Sequence, residues 1–244
     1  MPPEPNMDTM QRTLASLRRA LGENADEKTA AATQRFFKEQ IKAMGVKSAT
    51  VRKIARQHFK AIKEQPKEDI FALCETLWRS GCMEEAGIAC EWSDALRERF
   101  MPADFAVFER WVTRYVSNWA MCDTLCNHTV GGFIEKYPAF LEDLKRWTTS
   151  ENRWVKRAAA VTLIIPARRG LFLEHVFEIA DRLLSDTDDM VQKGYGWMLK
   201  SAGRMHEQEV FEYVVARKNV MPRTAYRYAI ENMSPERKAR AMKK

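Results

Sequence analysis

Apolar residues recur at spacings of three and four along almost the whole sequence, and no stretch alternates convincingly as a half-buried strand would. Leu14, Leu17 and Leu21 show this spacing near the start, and the segment that begins at Ser48 repeats it. Residues three and four apart lie on one face of an α-helix. The periodicity therefore predicts an all-α chain of about a dozen helices joined by short turns.

Single glycines and prolines, rather than long linkers, separate these helices. Pro102 suits the first turn of a helix whose apolar face continues through Phe105 and Phe108. No stretch rich in Gly, Pro or Ser divides the sequence, so we expect one domain over residues 1–244. For the basic tail at 235–244, the alternatives are disorder and an added nonspecific affinity for an anionic partner. The helix-interrupting residues are Gly45, Gly81, Pro138, Gly170, Pro222 and Pro235.

Three segments resemble one another: WVKRAAAVTLI at 154–164, MVQKGYGWMLK at 190–200 and MPRTAYRYAIE at 221–231. Each carries a basic residue before a run of small residues, and these basic residues are Arg157, Lys193 and Arg223. Spacings of 36 and 30 residues separate them, a range typical of stacked helical hairpins. The pattern predicts a superhelical solenoid of HEAT-like hairpins with a basic concave face. The alternative is that these residues solvate an outer face.

The charge balance favours an anionic partner. The chain has 40 Lys and Arg against 33 Asp and Glu, a net charge of +7. Such a surplus is typical of proteins that bind nucleic acid. On charge alone, the alternative is a soluble basic protein without that role. The N-terminal residues contain no apolar signal segment, and the run at 158–167 is too short to span a bilayer. We expect a soluble, cytoplasmic protein.

The cysteines and histidines do not form a recognisable cofactor or metal motif. Five cysteines occur with no CxxC pair, so neither a disulfide framework nor a zinc ribbon is expected. Cys122, Cys126 and His128 give at most three ligands where structural zinc needs four. Packing as small hydrophobic side chains is the favoured interpretation. We expect no cofactor and no metal.

Three segments could carry a function. In NWAMCDTLCNHTV, the residues Trp119, Asp123 and Asn127 share one helical stripe and turn away from Met121 and Leu125. Taken alone, this motif is weak evidence for a function. The favoured interpretation is then that Trp119 packs against a neighbouring helix and that Asp123 has a capping role.

The second segment is DDMVQKGYGWMLK at 188–200, in which Asp188 or Asp189 suits a helix N-terminus. Lys193 and Lys200 frame Trp197 on the polar side, an arrangement suited to a nucleic-acid backbone. Gly194 and Gly196 allow close approach, either of DNA or of another helix.

The third segment is ENRWVKRAAAVTLI at 151–164, in which Arg153 and Arg157 share a face. An arginine fork binds phosphate well, and the alternative role is a surface ion pair.

Together, SNWAMCD at 117–123, NRWVKRAA at 152–159 and VQKGYGWML at 191–199 resemble the AlkD-type DNA alkylation repair glycosylases, which are built from HEAT-like repeats. Weaker similarity runs from 34–46 to 221–230, so the resemblance covers most of the chain. It implies that Asp123 is the catalytic carboxylate, that Trp119 and Trp197 face the sugar, and that Arg157 anchors a phosphate. Phe36 falls where an early helix of the family carries an aromatic residue, and it lacks the hydroxyl of the tyrosine in the best-known member.

The resemblance also implies the reaction and the partner. The family's substrates are N3- and N7-alkylated purines in double-stranded DNA, whose positive charge makes the base a good leaving group without a general acid. A carboxylate at the sugar would stabilise the oxocarbenium-like transition state. The resemblance further implies that the protein contacts the damaged nucleotide from the side of the DNA backbone. It also implies that the protein acts as a monomer. The additional DNA-binding residues we predict are Lys193, Arg223, Phe36, Arg153 and Lys200. The alternatives are a non-catalytic HEAT-like DNA-structure-binding protein and, less favoured, a protein-interaction scaffold.

Overall fold

The computed structural model describes residues 7–243, with side chains from Thr9 onward. This part of the chain folds into sixteen α-helices, and it contains no strand beyond an isolated parallel bridge between Lys42 and Cys82. The all-α prediction is confirmed, with more helices than the dozen expected. The helices form two compact units, one ending at Thr124 and the other beginning at Leu125.

From residue 7 onward, the first unit contains seven α-helices and two single 3₁₀ turns, at Arg97–Arg99 and Pro102–Asp104. As predicted, Pro102 opens a helical turn, and α6 follows it directly. The helices are α1 (Met7–Glu23), α2 (Glu27–Gln34), α3 (Ser48–Ile62), α4 (Lys67–Arg79), α5 (Met83–Ala95), α6 (Phe105–Arg114) and α7 (Trp119–Thr124).

An aromatic cluster fills the core of the first unit. The ring of Phe71 lies edge-on to Phe108 and Trp111, with centroids 5.7 Å apart in both pairs. Phe100 packs against the same cluster, and Trp78 lies beside Trp111. Four of these five side chains are essentially inaccessible to solvent, and Phe71 is 5% exposed. Burial of such large rings is a main source of stability for helices of this length.

The second unit begins with a π-helical segment, Leu125–Val130, and includes one 3₁₀ turn, Pro138–Phe140. Its α-helices are α8 (Gly131–Lys136), α9 (Leu141–Trp147), α10 (Arg153–Val161), α11 (Ile164–Arg168), α12 (Leu173–Arg182), α13 (Asp189–Ala202), α14 (Glu207–Ala216), α15 (Arg223–Ile230) and α16 (Pro235–Met242).

Helical hairpins repeat within the second unit. The helices α9 and α10, α12 and α13, and α14 and α15 pack in consecutive pairs. The second helix of each pair also packs on the next, so that α13 lies between α10 and α15. These three helices carry the three similar sequence segments, and the predicted repeat is therefore confirmed as helical repeat-like packing.

The turn residues behave as the sequence indicates. Gly45 has a positive φ of 79°, and a Cβ there would lie 2.0 Å from the carbonyl oxygen of Asp26. Only glycine fits that conformation and that contact.

The basic C-terminal segment is not disordered but forms a helix, α16. The Tyr226 hydroxyl helps to hold this helix, because it donates a hydrogen bond to the carbonyl oxygen of Ala241 at 2.7 Å.

The five cysteines are all buried and none forms a disulfide, which agrees with the expected packing as small hydrophobic side chains. Burial raises the pKa of the Cys82 thiol to about 11. Within residues 7–243, none of the helices combines the length and the hydrophobicity needed to cross a bilayer. Nor do three or more His, Cys, Asp or Glu side chains of this described part cluster in a way that could hold a metal ion.

Candidate nucleic-acid interface

Trp119 and Asp123 lie together on the solvent side of α7. Both are partly exposed, whereas Met121 and Cys122 of the same helix are buried. The helix begins at Trp119 because the side-chain oxygen of the buried Asn118 accepts a hydrogen bond from the Met121 amide at 3.0 Å. The prediction that the ring and the acid turn away from the core is confirmed.

The predicted stripe does not extend to Asn127. From Leu125 the helix becomes π-helical, and a π turn holds more residues than an α turn. The α-helical spacing from Asp123 is therefore lost. Asn127 is only 9% exposed, and its Oδ1 atom has no hydrogen-bond partner among the described residues.

Two consecutive phenylalanines hold Trp119 in place. The Phe37 ring stacks on the Trp119 ring, with centroids 5.1 Å apart and planes at 14°. The Trp119 Nε1 group donates a hydrogen bond to the Phe36 carbonyl oxygen at 3.4 Å. Sequence reasoning missed Phe37, for which the doublet Phe36-Phe37 was the available signal.

The structure corrects the expected setting of Phe36. The sequence predicted an aromatic residue on an early helix, but α2 ends at Gln34 and Phe36 lies in the turn that follows. The Phe36 side chain is 76% exposed. Its backbone contacts Trp119 through the hydrogen bond above, while its ring faces solvent.

In the second unit, Arg153 joins two helices of the repeat. Its guanidinium pairs with Asp188, with Nε 3.0 Å from Oδ2, and lies 4.9 Å from the centre of the Trp154 ring. Asp188 is also the N-cap of α13, as predicted, accepting hydrogen bonds from the amides of Met190 and Val191. Arg153 thus links α10 to the start of α13, and a phosphate would have to compete with Asp188 for it.

Arg157 is buried rather than placed at the surface. It is 5% exposed, and its Nη1 group donates a hydrogen bond to the Met190 carbonyl oxygen at 2.5 Å. Since a guanidinium has five N–H donors, it can bind more than one acceptor at a time. The burial limits the directions from which a phosphate could reach it.

The exposed side of α13 carries the lysines and the tryptophan that the sequence singled out. Lys193 pairs with Asp189 at 2.7 Å, and Lys200 pairs with Glu231 at 2.7 Å. Trp197, which lies between these two lysines in the sequence, is partly exposed. The predicted inner face of Val191, Tyr195, Met198 and Leu199 is confirmed, since all four are fully buried.

The glycines of α13 serve helix packing. A Cβ at Gly194 would lie 3.3 Å from Cγ of Arg157, and a Cβ at Gly196 would lie 2.8 Å from the carbonyl oxygen of Ala225. One glycine thus faces α10 and the other faces α15. Of the two alternatives that the sequence left open, the structure selects close helix–helix contact.

The first residue of α15 is Arg223, whereas Arg157 and Lys193 are the fifth residues of α10 and α13. The residue at the matching position of α15 is Arg227. The sequence predicted Arg223 instead, because the three similar segments were aligned by their residue types and not by where their helices begin. Both Arg223 and Arg227 are exposed. They border a groove of about 630 Å³ whose lining residues are Lys200, Arg223, Thr224, Arg227, Tyr228 and Glu231.

A sequence model of the family described as DNA alkylation repair enzyme matches residues 17–233. None of the curated proteins matches the chain significantly. The fold is similar to that of a predicted DNA alkylation repair enzyme from Enterococcus faecalis, with a TM-score of 0.77 and 18% identity over 87% of this chain and 98% of that one. It is also similar to the Pseudomonas fluorescens alkylpurine DNA glycosylase AlkC bound to DNA containing an abasic site analog, with a TM-score of 0.52 and 15% identity over 97% of this chain and 66% of that one.

Proposed function

Because the chain belongs to the DNA alkylation repair enzyme family, we propose that it is a monofunctional DNA glycosylase of the AlkD type. Its substrates are cationic N3- and N7-alkylated purines in duplex DNA, and it hydrolyses their N-glycosidic bond. The observation that carries the proposal is the pair Trp119 and Asp123, which stand partly exposed on a short helix whose other side is buried. A fixed aromatic ring and a carboxylate on the same exposed side of a helix suit a substrate on which positive charge develops.

Asp123 supplies the negative charge that the reaction needs. As the bond to the cationic base breaks, positive charge moves onto the deoxyribose. A carboxylate fixed near that sugar stabilises the developing charge and positions the attacking water. Since the alkylated base already carries a positive charge, it departs without protonation by a general acid.

Trp119 offers the face of its ring to the same charge. One face of the ring is covered by Phe37 and its Nε1 group is engaged by the Phe36 carbonyl, so the ring is fixed before DNA binds. A fixed, electron-rich face attracts a cation without a loss of side-chain freedom on binding. Trp197 has the corresponding role in the second unit.

Basic side chains of the second unit bind the DNA backbone in this proposal. Lys193, Lys200 and Arg153 each have a carboxylate partner in the free protein, and a phosphate would replace that partner. Arg157 is buried, so we expect it to make one directed contact with a phosphate. Arg223 is exposed, so we expect it to attract the DNA backbone through its charge. The protein acts as a monomer and as one domain, in the cytoplasm, without a cofactor.

A non-catalytic DNA-structure-binding protein is the second candidate. It is favoured by the groove beside Arg223 and Arg227, which offers positive charge to a DNA backbone and requires no reaction. Both candidates bind duplex DNA with an affinity that falls as salt rises.

Product analysis separates the two candidates. The protein is incubated with duplex DNA alkylated at purines, and free bases and strand breaks are measured separately. A monofunctional glycosylase releases 3-methyl- and 7-methylpurines and leaves strands that break only after treatment with alkali. Salt-sensitive binding without base release would support the second candidate, and strand cleavage without alkali would contradict the monofunctional assignment.

A further inference from the structure

The groove between α13 and α15 combines two arginines with a lysine that already has a partner. Arg223 and Arg227 lie one helical turn apart on α15, and both are exposed. Lys200 approaches from α13, where its Nζ atom lies 2.7 Å from Oε2 of Glu231 and 5.4 Å from the centre of the Tyr228 ring. The lysine is therefore held in place, while the arginines face the open groove.

The two arginines are not explained by the stability of α15. Across residues 7–243, neither side chain has an ion-pair or hydrogen-bond partner. Like charges four residues apart repel one another on a helix. Arg223 also lies in the first helical turn, where the helix dipole disfavours a cation. An anion between them would relieve both effects.

We propose that this groove binds successive phosphates of one DNA strand through Arg223 and Arg227, and that Glu231 competes with the DNA for Lys200. Four residues of helix advance about 6 Å, so the two guanidinium groups can reach neighbouring phosphates of a strand. The inference rests on the proposed function, because it takes duplex DNA as the partner. It goes further by adding Arg227 to the backbone contacts and by giving Glu231 a role in setting the affinity.

Glu231 limits how tightly the groove holds DNA. In the free protein, its carboxylate neutralises Lys200, and a phosphate has to displace it before Lys200 contributes. After displacement, the carboxylate stays in the groove and repels the backbone. Moderate affinity suits a protein that has to leave undamaged DNA and search further, since phosphate contacts are independent of sequence and of damage.

The test is the salt dependence of binding to a short undamaged duplex, measured by fluorescence anisotropy. Each lost phosphate contact reduces the magnitude of the slope of log K against log salt concentration by about 0.9 for B-DNA. If variant and wild type bind equally at 1 M salt, the variant therefore binds about eightfold more weakly than wild type at 0.1 M salt. We expect this change for Arg227→Ala and tighter binding for Glu231→Gln. Arg168→Ala is the matched control, because Arg168 is an exposed arginine of the same unit that lies outside the groove. It should keep the wild-type slope.

Three results would overturn the proposal: an unchanged slope for Arg227→Ala, an equal loss of slope for Arg168→Ala, or unchanged or weaker binding for Glu231→Gln. Circular dichroism of each variant excludes unfolding as the cause. Base release by the wild-type protein is measured in parallel. If the wild-type protein releases bases but Arg227→Ala binds like wild type, the groove proposal is wrong and the glycosylase proposal stands. If Arg227→Ala lowers the slope but the wild-type protein releases no base, the glycosylase proposal is wrong and the groove proposal stands.

Discussion

Replacing Gly196 by alanine tests whether the contact between α13 and α15 is as close as the structure shows. The added Cβ would lie 2.7 Å from Cβ of Tyr228, 2.8 Å from the carbonyl oxygen of Ala225 and 3.1 Å from its Cα. Carbon atoms pack at about 3.5–4.0 Å, so the two helices would have to separate by about 1 Å. Two of the three nearest atoms belong to the backbone of α15 and cannot move aside as a flexible side chain can.

The magnitude follows from two opposing effects. Overpacking of this kind costs about 1–3 kcal/mol, and the backbone contacts favour the upper end. Alanine improves the helix itself by about 1 kcal/mol relative to glycine. The net loss in the free energy of unfolding is therefore about 2 kcal/mol, which corresponds to a fall in Tm of about 4–8 °C for a chain of this size.

Differential scanning calorimetry measures this effect, with Gly87→Ala as the control. Gly87 lies inside α5, and the nearest atom to a methyl group added there is Cγ1 of Val51 at 4.0 Å, an ordinary contact. Gly87→Ala should therefore raise Tm slightly. If Gly196→Ala melts at or above the wild-type temperature, the close approach of α13 and α15 is wrong.

Three further predictions concern individual side chains. Phe37→Leu should leave DNA binding nearly unchanged but slow base release, because the Trp119 ring loses its stacking partner; equal rates in a single-turnover assay would refute a positioning role. Arg157→Ala should weaken both binding and base release while the protein stays folded, and a variant that matches wild type in both would show that Arg157 does not contact DNA. The Arg110 guanidinium lowers the pKa of Glu75, which is 14% exposed, to about 2 despite the opposing effect of burial. The folded-state pKa is lowered, so its stabilisation of about 3 kcal/mol is complete well above pH 4.5 and is lost as the pH falls toward 2; urea unfolding of wild type and Glu75→Gln over this range should converge, and a constant difference would contradict the assignment.

The sequence predicted those features that depend on local periodicity. Burial of Val191, Tyr195, Met198 and Leu199 follows from their spacing, because a helix with one apolar face must turn that face inward. The N-cap role of Asp188 was also predictable from the sequence, because the amides that donate hydrogen bonds to it belong to residues two and three positions further along the chain. The exposure of Trp119 and Asp123 also follows from helical spacing within a single turn.

Features that depend on distant partners could not be predicted in this way. Arg153 meets Asp188 across 35 residues, and the neighbours of Gly196 lie in another helix, so no local pattern reveals either contact. The π-helical turn after Thr124 changes the register of Asn127 without a proline or glycine to mark it. The choice between Phe36 and Phe37 as the partner of the Trp119 ring depends on how the turn after α2 is oriented.

The most direct test of Asp123 as the catalytic carboxylate is the rate of methylated-purine release by wild type and by Asp123→Asn under single-turnover conditions. Asparagine keeps the shape of the side chain and removes its charge, so DNA binding and Tm should be retained. Asp143→Asn is the control, because Asp143 is a carboxylate paired with Arg146 in α9 and has no part in the proposed chemistry. Asp123→Asn should release bases at least about 100-fold more slowly than wild type, whereas Asp143→Asn should match wild type. Release by Asp123→Asn at the wild-type rate would contradict the assignment of Asp123 as the catalytic carboxylate.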